Sequence, residues 1–369
     1  MDNYFRQFEN RVPPEPVPHS IPRELLYQYL ATCNLTLGIW YLGWRWMYAL
    51  NYDALWFSLP LAFAESCAYI GSLLFTFNLW KVKDEPQQSP PFKIAECVSD
   101  TDEDRPISVD VFFPSYDEEP ELVKLSILDA QKIRYPHPVD IKIFILDDGK
   151  RPEMQAMAED MGVGYITREG NIGFKAGNLR NAMERTSGDF VVICDADTRP
   201  FPSILENTLG YFRDPSVAWV QTPQWFFDLP EGERLPDLLE RKLGKWSKGL
   251  GRAVERVYGP VTFGDDPFVN DPQMFYDVIQ RRRNWVNASF CCGAGSIHRR
   301  EAVMEAALRA YAEQITKEQD LVEKEIRRLT KEKQVDASVS ENLRNEILFD
   351  TEFTPVSYTH LTLPTKPKV

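Results

Sequence analysis

The sequence has no excess of positive charge. It carries 42 Lys and Arg against 55 Asp and Glu, a formal charge of −13. A chain of that sign repels a polyanion, which excludes nucleic acid as its partner. A single nucleotide is not excluded, because a metal and a few local Lys or Arg suffice for its phosphates. Cysteine is scarce. The six cysteines, at 33, 67, 97, 194, 291 and 292, contain no Cys-x-x-Cys pair. That excludes a thiolate metal site and a small disulfide framework, and it points to a reducing compartment. Nor is a cleavable signal peptide expected. Residues 1–24 are polar and hold Pro13, Pro14, Pro16, Pro18 and Pro22, so they read as an irregular arm.

Past the arm the chain turns apolar. Residues 25–50 and 55–80 are two hydrophobic, aromatic runs separated by Asn51-Tyr52-Asp53. About 20 residues span a bilayer, so each is long enough. Trp40, Tyr41, Trp44, Trp46, Trp56 and Trp80 lie near the ends, as an aromatic belt would. Two buried helices of a soluble protein remain the alternative. Arg11, Arg23, Lys81 and Lys83 flank the pair, which puts both ends in the cytoplasm. Glu65 falls in mid-span, a position where an ionisable residue is costly and needs a partner. Arg45 is expected to snorkel toward the far interface. Residues 81–106 are charged and proline-containing, a linker, and the soluble domain begins near Ile107.

From there strand-like and helix-like stretches alternate. Strands are expected at 109–113, 141–146, 164–166, 190–194 and 217–221, and helices at 122–131, 154–161 and 175–183. That rhythm predicts a parallel α/β sheet, whose ligands gather at the carboxyl ends of the strands. Polar clusters stand at those ends. Asp195-Ala196-Asp197 comes directly after the strand at 191–194. On extended backbone its carboxylates face the same way and can meet one hard cation, Mg²⁺ or Mn²⁺; a polar turn is the alternative. Asp147-Asp148-Gly149 is either a turn or an acceptor for a base N–H or a ribose hydroxyl. Lys175-Ala176-Gly177-Asn178 places a cation at a helix start, where backbone N–H groups favour anions; an ordinary cap with a solvated lysine reads equally well. Gln221-Thr222-Pro223-Gln224-Trp225 offers amides and an indole to a sugar, or is a proline-broken edge strand. Phe290-Cys291-Cys292-Gly293-Ala294-Gly295-Ser296 is a small-residue loop, structural or open to close approach by a bulky ligand.

Taken in order with Pro114-Ser115-Tyr116-Asp117-Glu118 and the 270–275 stretch, these clusters resemble the processive membrane glycosyltransferases of the cellulose synthase type, over residues 25–300. The resemblance implies an α/β fold, a GT-A (nucleotide-diphospho-sugar transferase) domain over 107–300, preceded by a two-helix transmembrane hairpin over 25–80. It implies a multi-pass protein of the inner (plasma) membrane with a cytoplasmic catalytic domain. The implied reaction is inverting transfer of glucose from UDP-glucose to a growing β-glucan, with Mg²⁺ or Mn²⁺. Ser115, Tyr116, Glu118 and Asp148 would line the uridine pocket. Lys175 would face the diphosphate, Asp195 would lie nearest the UDP, and Asp195 with Asp197 would hold the metal. Gln221, Thr222 and Gln224 would border the donor sugar, and Phe290, Cys292 and Gly293 the acceptor. The partners implied are the UDP-sugar, the glucan and the membrane, with an accessory synthase subunit as a further candidate. Synthases of curdlan, hyaluronan or mannan type share this pattern, and a non-catalytic membrane-anchored nucleotide-binding subunit is the reading from another class. Two departures are Gly173, where the family often has His, and Cys291, where a second Phe is usual.

The family's general base lies in a Thr-Glu-Asp-like motif, with Gln-x-x-Arg-Trp after it; neither occurs here. Residues 301–355 read instead as a charged helical insertion. Leu308, Ile315, Val322 and Leu329 recur every seven residues, with Met304, Tyr311 and Ile326 filling the stripe. Glu313–Lys317 and Glu323–Arg327 are expected as i,i+4 pairs. Residues 356–369 look like the translation of a sequencing adapter. The expectation is a fragment truncated before its base, which lies beyond Pro355, able to bind UDP and metal but not to polymerise.

Overall fold

In a computed structural model the described residues are 10–13, 15, 16, 18–98, 103–226, 232–263, 274–332, 336, 338, 339 and 341–343. The adapter-like tail, Pro355 and positions 270–273 of the 270–275 stretch lie outside them. In chain order the elements are α1 (Ile21–Tyr48), α2 (Leu55–Asn78), β1 (Ile107–Ser115), α3 (Pro120–Ala130), β2 (Val139–Asp147), α4 (Pro152–Met161), β3 (Gly164–Ile166), α5 (Phe174–Arg185), β4 (Phe190–Ile193), α6 (Ile204–Thr208), β5 (Trp219–Gln221), β6 (Glu233–Arg234), α7 (Leu235–Leu243), α8 (Lys248–Tyr258), β7 (Thr262–Phe263), α9 (Arg281–Arg283), β8 (Ser296–Arg299) and α10 (Arg300–Lys331). They fall into two units: Gln87–Gln221 with Cys291–Val369, and Met1–Pro86 with Thr222–Phe290. The sequence division at 107–300 therefore runs across both.

The first unit is built on β1. Val109, Val111 and Phe113 are buried in one cluster with Val123, Ile127 and Ile145, while Phe112 is buried in a second with Leu146, Ala182 and Val191. A strand covered on both faces needs such a continuous apolar run, and so reads without alternation. β2 pairs parallel to β1 from Ile107↔Val139 to Ser115↔Asp147. The sheet order is β3-β2-β1-β4-β8-β5. The expected parallel sheet holds for β1 to β4, but β8 runs antiparallel between β4 and β5. The sequence reading ends its small-residue loop at Ser296 and expects no strand after it; Ser-Ile-His-Arg has only one apolar residue. It becomes a strand by closing the ladder between two neighbours. Arg299 anchors it from within: its buried guanidinium donates to the carbonyls of Cys97, Phe212 (2.8 Å), Val217 (3.2 Å) and Asp214 (3.2 Å).

Asp189, just before β4, ties the entry to β1. It accepts two bonds from Arg105, both 2.7 Å, and two from Ser108, at 2.9 and 2.7 Å. Burial alone would raise its pKa, but Arg105 and Ser108 outweigh it, so the carboxyl sits below the ordinary value. A depressed folded pKa contributes stability above the unfolded value of about 4, and that contribution is lost as pH falls through the folded pKa. Asp189→Asn should therefore melt below wild type at pH 7 and converge on it in acid. Parallel melting curves from pH 7 to pH 3 would disprove the linkage.

α10 runs out from the sheet as a long helix. Of its heptad positions Leu308, Ile315 and Leu329 are half-buried and Val322 is exposed, while Ile326 is buried. The Glu323–Arg327 pair forms at 2.5 Å. Glu313–Lys317 does not, since neither side chain has an ionic partner among the described residues.

In the second unit α1 and α2 lie antiparallel. Tyr69 donates to the Leu35 carbonyl (2.8 Å) and Trp46 to Ser66 (3.0 Å). Gly38 permits the approach: a Cβ there would stand 2.4 Å from the Tyr69 ring. Glu65 finds its partner in Arg45, at 2.8 Å, with Tyr41 adding a 3.3 Å bond. Arg45 thus turns to the neighbouring helix and to the Ala49 carbonyl (2.6 Å), satisfying both charges at once. Among the described residues one helix, Tyr52–Asn78, is long and apolar enough to cross a membrane; α1 is interrupted by Gln28, Thr32, Asn34 and Thr36. Trp285 donates to the Asn78 carbonyl (3.0 Å) and Arg282 to that of Leu79 (2.9 Å), so residues 281–285 close the end of α2.

Candidate functional site

The first unit brings the carboxyl ends of β1, β2 and β4 to one edge. At β1, Ser115 leads into a loop folded on Glu118. The Glu118 carboxylate accepts from the Ser115 hydroxyl (2.9 Å) and from the amides of Tyr116 (2.7 Å) and Asp117 (3.2 Å). Burial would raise its pKa, but these donors hold it below the ordinary value. Glu118 is thereby an ionised brace for its own loop. Tyr116 stands clear, 62% exposed, with a ring face suited to stacking on a base.

At β2 the adjacent aspartates do different things. Asp147 is buried and accepts from Arg151 (2.7 Å backbone, 3.1 Å side chain) and Tyr165 (2.9 Å). Asp148 takes a bidentate pair from Arg168, both bonds 2.7 Å. Arg168 also donates to the carbonyls of Ile172 (2.6 Å) and Phe174 (2.9 Å), fastening Asp148 to the turn that starts α5. Sequence reasoning missed Arg151 and Arg168; Arg151 lies four residues beyond Asp147, but Arg168 lies twenty beyond Asp148, too far for spacing to signal the pair. The turn is tight. Gly173 has φ 76°, and a Cβ on Gly177 would meet the Ile172 carbonyl oxygen at 2.1 Å. That glycine makes room for the chain's own backbone. Asn178 ties α5 down by donating to the Leu146 carbonyl (2.8 Å).

Beyond β4 the sequence argument from extended backbone needs correction. The strand ends at Ile193, and the Thr198 amide donates to the Asp195 carbonyl (2.9 Å) across a turn. Ala196 is buried beneath it while Asp195 is half-buried and Asp197 exposed. Cys194 is sealed below, its thiol pushed up to about 12 by burial, with Asp195 adding to the shift. The Lys175 ammonium, in the first turn of α5, bonds Asp195 and also the Gly293 carbonyl (2.7 Å). Three clusters more than a hundred residues apart in all thus meet at one amine. Asp197 has no hydrogen bond or ion pair among the described residues.

The Gln221 amide joins the last pair. Its nitrogen donates to the carbonyls of Ala294 (2.8 Å) and Gly295 (3.2 Å), and its oxygen accepts from the Cys292 amide (2.8 Å). Gln221 therefore clasps the 292–295 loop with the side chain that the sequence reading offers to a sugar. Thr222, Gln224 and Phe290 belong to the other unit. There Phe290 lies under the Arg283 guanidinium, 5.1 Å from ring centre.

The donor set suits a divalent cation. Asp195 and Asp197 supply hard oxygens from one turn, and no group of three metal-ligating side chains exists among the described residues. A cation held there would need its other ligands from water and phosphate, the mode Mg²⁺ favours.

A family model described as glycosyl transferase family 2 matches residues 110–306, more than half of the chain and all of the clusters from Ser115 to Gly293. The chain belongs to glycosyl transferase family 2. The family 2 domain is a mixed α/β, GT-A-like fold. Among curated relatives, a "Cellulose synthase catalytic subunit [UDP-forming]" of Pseudomonas fluorescens is 31% identical over 78% of this chain and 35% of its own. The protein of the same name from Xanthomonas axonopodis pv. citri is 32% identical over 74% of this chain and 33% of its own. The chain spans about a third of the length of these relatives. Among solved structures, the Pyrobaculum calidifontis mannosyltransferase PcManGT in complex with GDP-Man and Mn²⁺ overlaps 44% of this chain and 47% of its own, at 21% identity and TM-score 0.33. Glucosyl-3-phosphoglycerate synthase of Mycobacterium tuberculosis with Mn²⁺, UDP-glucose and phosphoglyceric acid overlaps 31% and 43%, at 23% and 0.26.

Proposed function

We propose that this family 2 chain carries the donor site of a membrane-bound, metal-dependent inverting synthase that transfers glucose from UDP-glucose to a β-glucan. The observation that carries the reading is the convergence of Asp195, Lys175 and Gly293 at the edge where the uridine-side residues Ser115, Tyr116 and Asp148 also end. An ammonium beside a carboxylate pair suits a diphosphate: Asp195 and Asp197 would hold a metal that would supply charge neutralisation, and Lys175 sets its own positive charge beside the leaving group. Tyr116 supplies a stacking face for the base, and Asp148, positioned by its bidentate pair with Arg168, accepts its N–H. The cellulose synthase names of the relatives supply the sugar and the linkage. Gln221 shapes the acceptor-side loop; Thr222, Gln224, Phe290, Cys292 and Gly293 complete the sugar-side assignment.

The helix pair α1–α2 is the membrane hairpin of this reading, with both ends cytoplasmic. α2 has the length and apolarity to span. α1 pairs with it, and Arg45 with Glu65 cancel one another's charge inside the pair. An accessory subunit remains a partner within this reading.

Titration of UDP into the purified chain in nanodiscs, with and without Mn²⁺, tests it. Saturable heat that appears only with the metal is expected. Binding indifferent to metal, from a sample with a cooperative melt, would refute the donor-site assignment.

A further inference from the structure

The α7–α8 hairpin has no part in the donor site, and its outward face is unlike the rest of the surface. Its inner face is fixed. Gly251 packs against Pro236, where a Cβ would stand 2.6 Å from the Pro236 Cα. Glu255 is buried against Arg234 (2.5 Å), and Lys248 pairs with Asp237 (2.9 Å) and Glu240 (2.6 Å). On a helix of 3.6 residues per turn this settles what points away. Trp246, Leu250 and Val257 recur at four and seven residues along one exposed stripe, 74%, 56% and 50% accessible. Across the small, exposed Gly249 and Ala253 from it runs a second exposed stripe, Lys245, Arg252 and Arg256. None of these three cations has a hydrogen bond or ion pair among the described residues. In a chain of formal charge −13, three unpaired cations along an apolar stripe form a local reversal of sign.

We infer that α8, with the turn before it, lies in the membrane interface and docks on anionic lipid headgroups. An apolar stripe edged by Lys and Arg, led by a Trp, is the pattern of a helix that lies in the headgroup plane. Its place in the unit agrees. Gly259, which ends α8, lies against Arg23 in the first turn of α1, where a Cβ would be 3.6 Å from the guanidinium. α8 thus ends beside the hairpin terminus that also holds Lys81 over the Trp285 ring, 5.1 Å away. The inference rests on the membrane reading of α1–α2 only for where the bilayer stands.

The test uses the full chain in nanodiscs containing lipid brominated near the headgroup, comparing wild type with Trp246→Phe. In anionic discs wild type should show quenched emission that Trp246→Phe lacks. Each cation near an anionic surface favours docking by about five-fold. The difference should therefore shrink in phosphatidylcholine discs and in Arg252→Glu/Arg256→Glu. Identical quenching of wild type and Trp246→Phe in anionic discs, with other tryptophans still quenched, overturns the inference. Trp246 shielded from acrylamide but not reached by bromine also overturns it, in favour of a polypeptide occupant. A chain released by alkaline carbonate that keeps Trp246 quenching in anionic discs removes the hairpin reading and sustains this one.

Discussion

Asp197→Ala should abolish metal-dependent UDP binding and leave the melting temperature of the chain unchanged. Asp197 is exposed and its carboxylate has no partner within the described chain. The turn that carries it is held by the Thr198 amide and by buried Ala196, not by the side chain. Truncating such a group costs roughly ±0.5 kcal/mol of stability. Its cost to the metal is of another order. Removing a residue that only supports a ligand already weakens a metal about 10–100-fold, and Asp197 is one of two carboxylates offered. A loss of ~100-fold or more in apparent UDP affinity with Mn²⁺ is expected. Asp195→Ala is the less informative variant, because it also removes the carboxylate partner of Lys175 and leaves that ammonium with the Gly293 carbonyl alone. Equal metal-dependent affinity in wild type and Asp197→Ala would place the cation elsewhere.

Much of the α/β scaffold is legible because buried parallel strands declare themselves as apolar runs. Val-Phe-Phe in β1 and Ile-Phe-Ile-Leu in β2 need no neighbour to be recognised. Asp195 and Asp197 stand out for the same reason: a strand of four apolar residues ends on them. β8 is not legible, since its four residues owe their conformation to the ladders on either side. The role of Gln221 is hidden similarly. An amide after a strand looks available to a ligand until the 292–295 loop, some seventy residues on, is folded against it. Arg168 belongs to the same class, reaching back 20 residues to Asp148. The grouping of 222–290 with the helical hairpin is also invisible to a linear reading, because composition changes mark linkers and not the partner to which a segment returns. α7 and α8 carry no catalytic motif, and their two-sided surface stripe emerges only once the inner face is assigned.

Asp147 and Asp148 give the sharpest contrast, and a second large effect. Adjacent residues at a strand end project to opposite sides, and here one is structural. The Asp147 carboxylate has no accessible surface and accepts from the Gly149 amide (3.1 Å), the Arg151 amide and side chain, and the Tyr165 hydroxyl. Tyr165 is pushed up to about 12, by burial first and by the Asp147 carboxylate second. Asp147→Ala would strand the Arg151 guanidinium, 15% accessible, beside a phenol left with only the Arg151 carbonyl, 3.4 Å away. Breaking a buried pair from one side costs about 3–5 kcal/mol, a large share of the ~5–15 kcal/mol that holds a domain together. Arg151 keeps its bonds to the Ser115 hydroxyl (2.7 Å) and the Glu118 carbonyl (2.6 Å), which favours the lower end of that range and a chain that still folds. Asp148→Asn should do the reverse. It keeps the fold, loosens Arg168, and weakens UDP without shifting the denaturant midpoint by a comparable amount. Urea unfolding of both variants decides the matter. If Asp147→Ala unfolds at the wild-type midpoint, or Asp148→Asn is the less stable of the two, the division of labour between the neighbouring carboxylates is wrong.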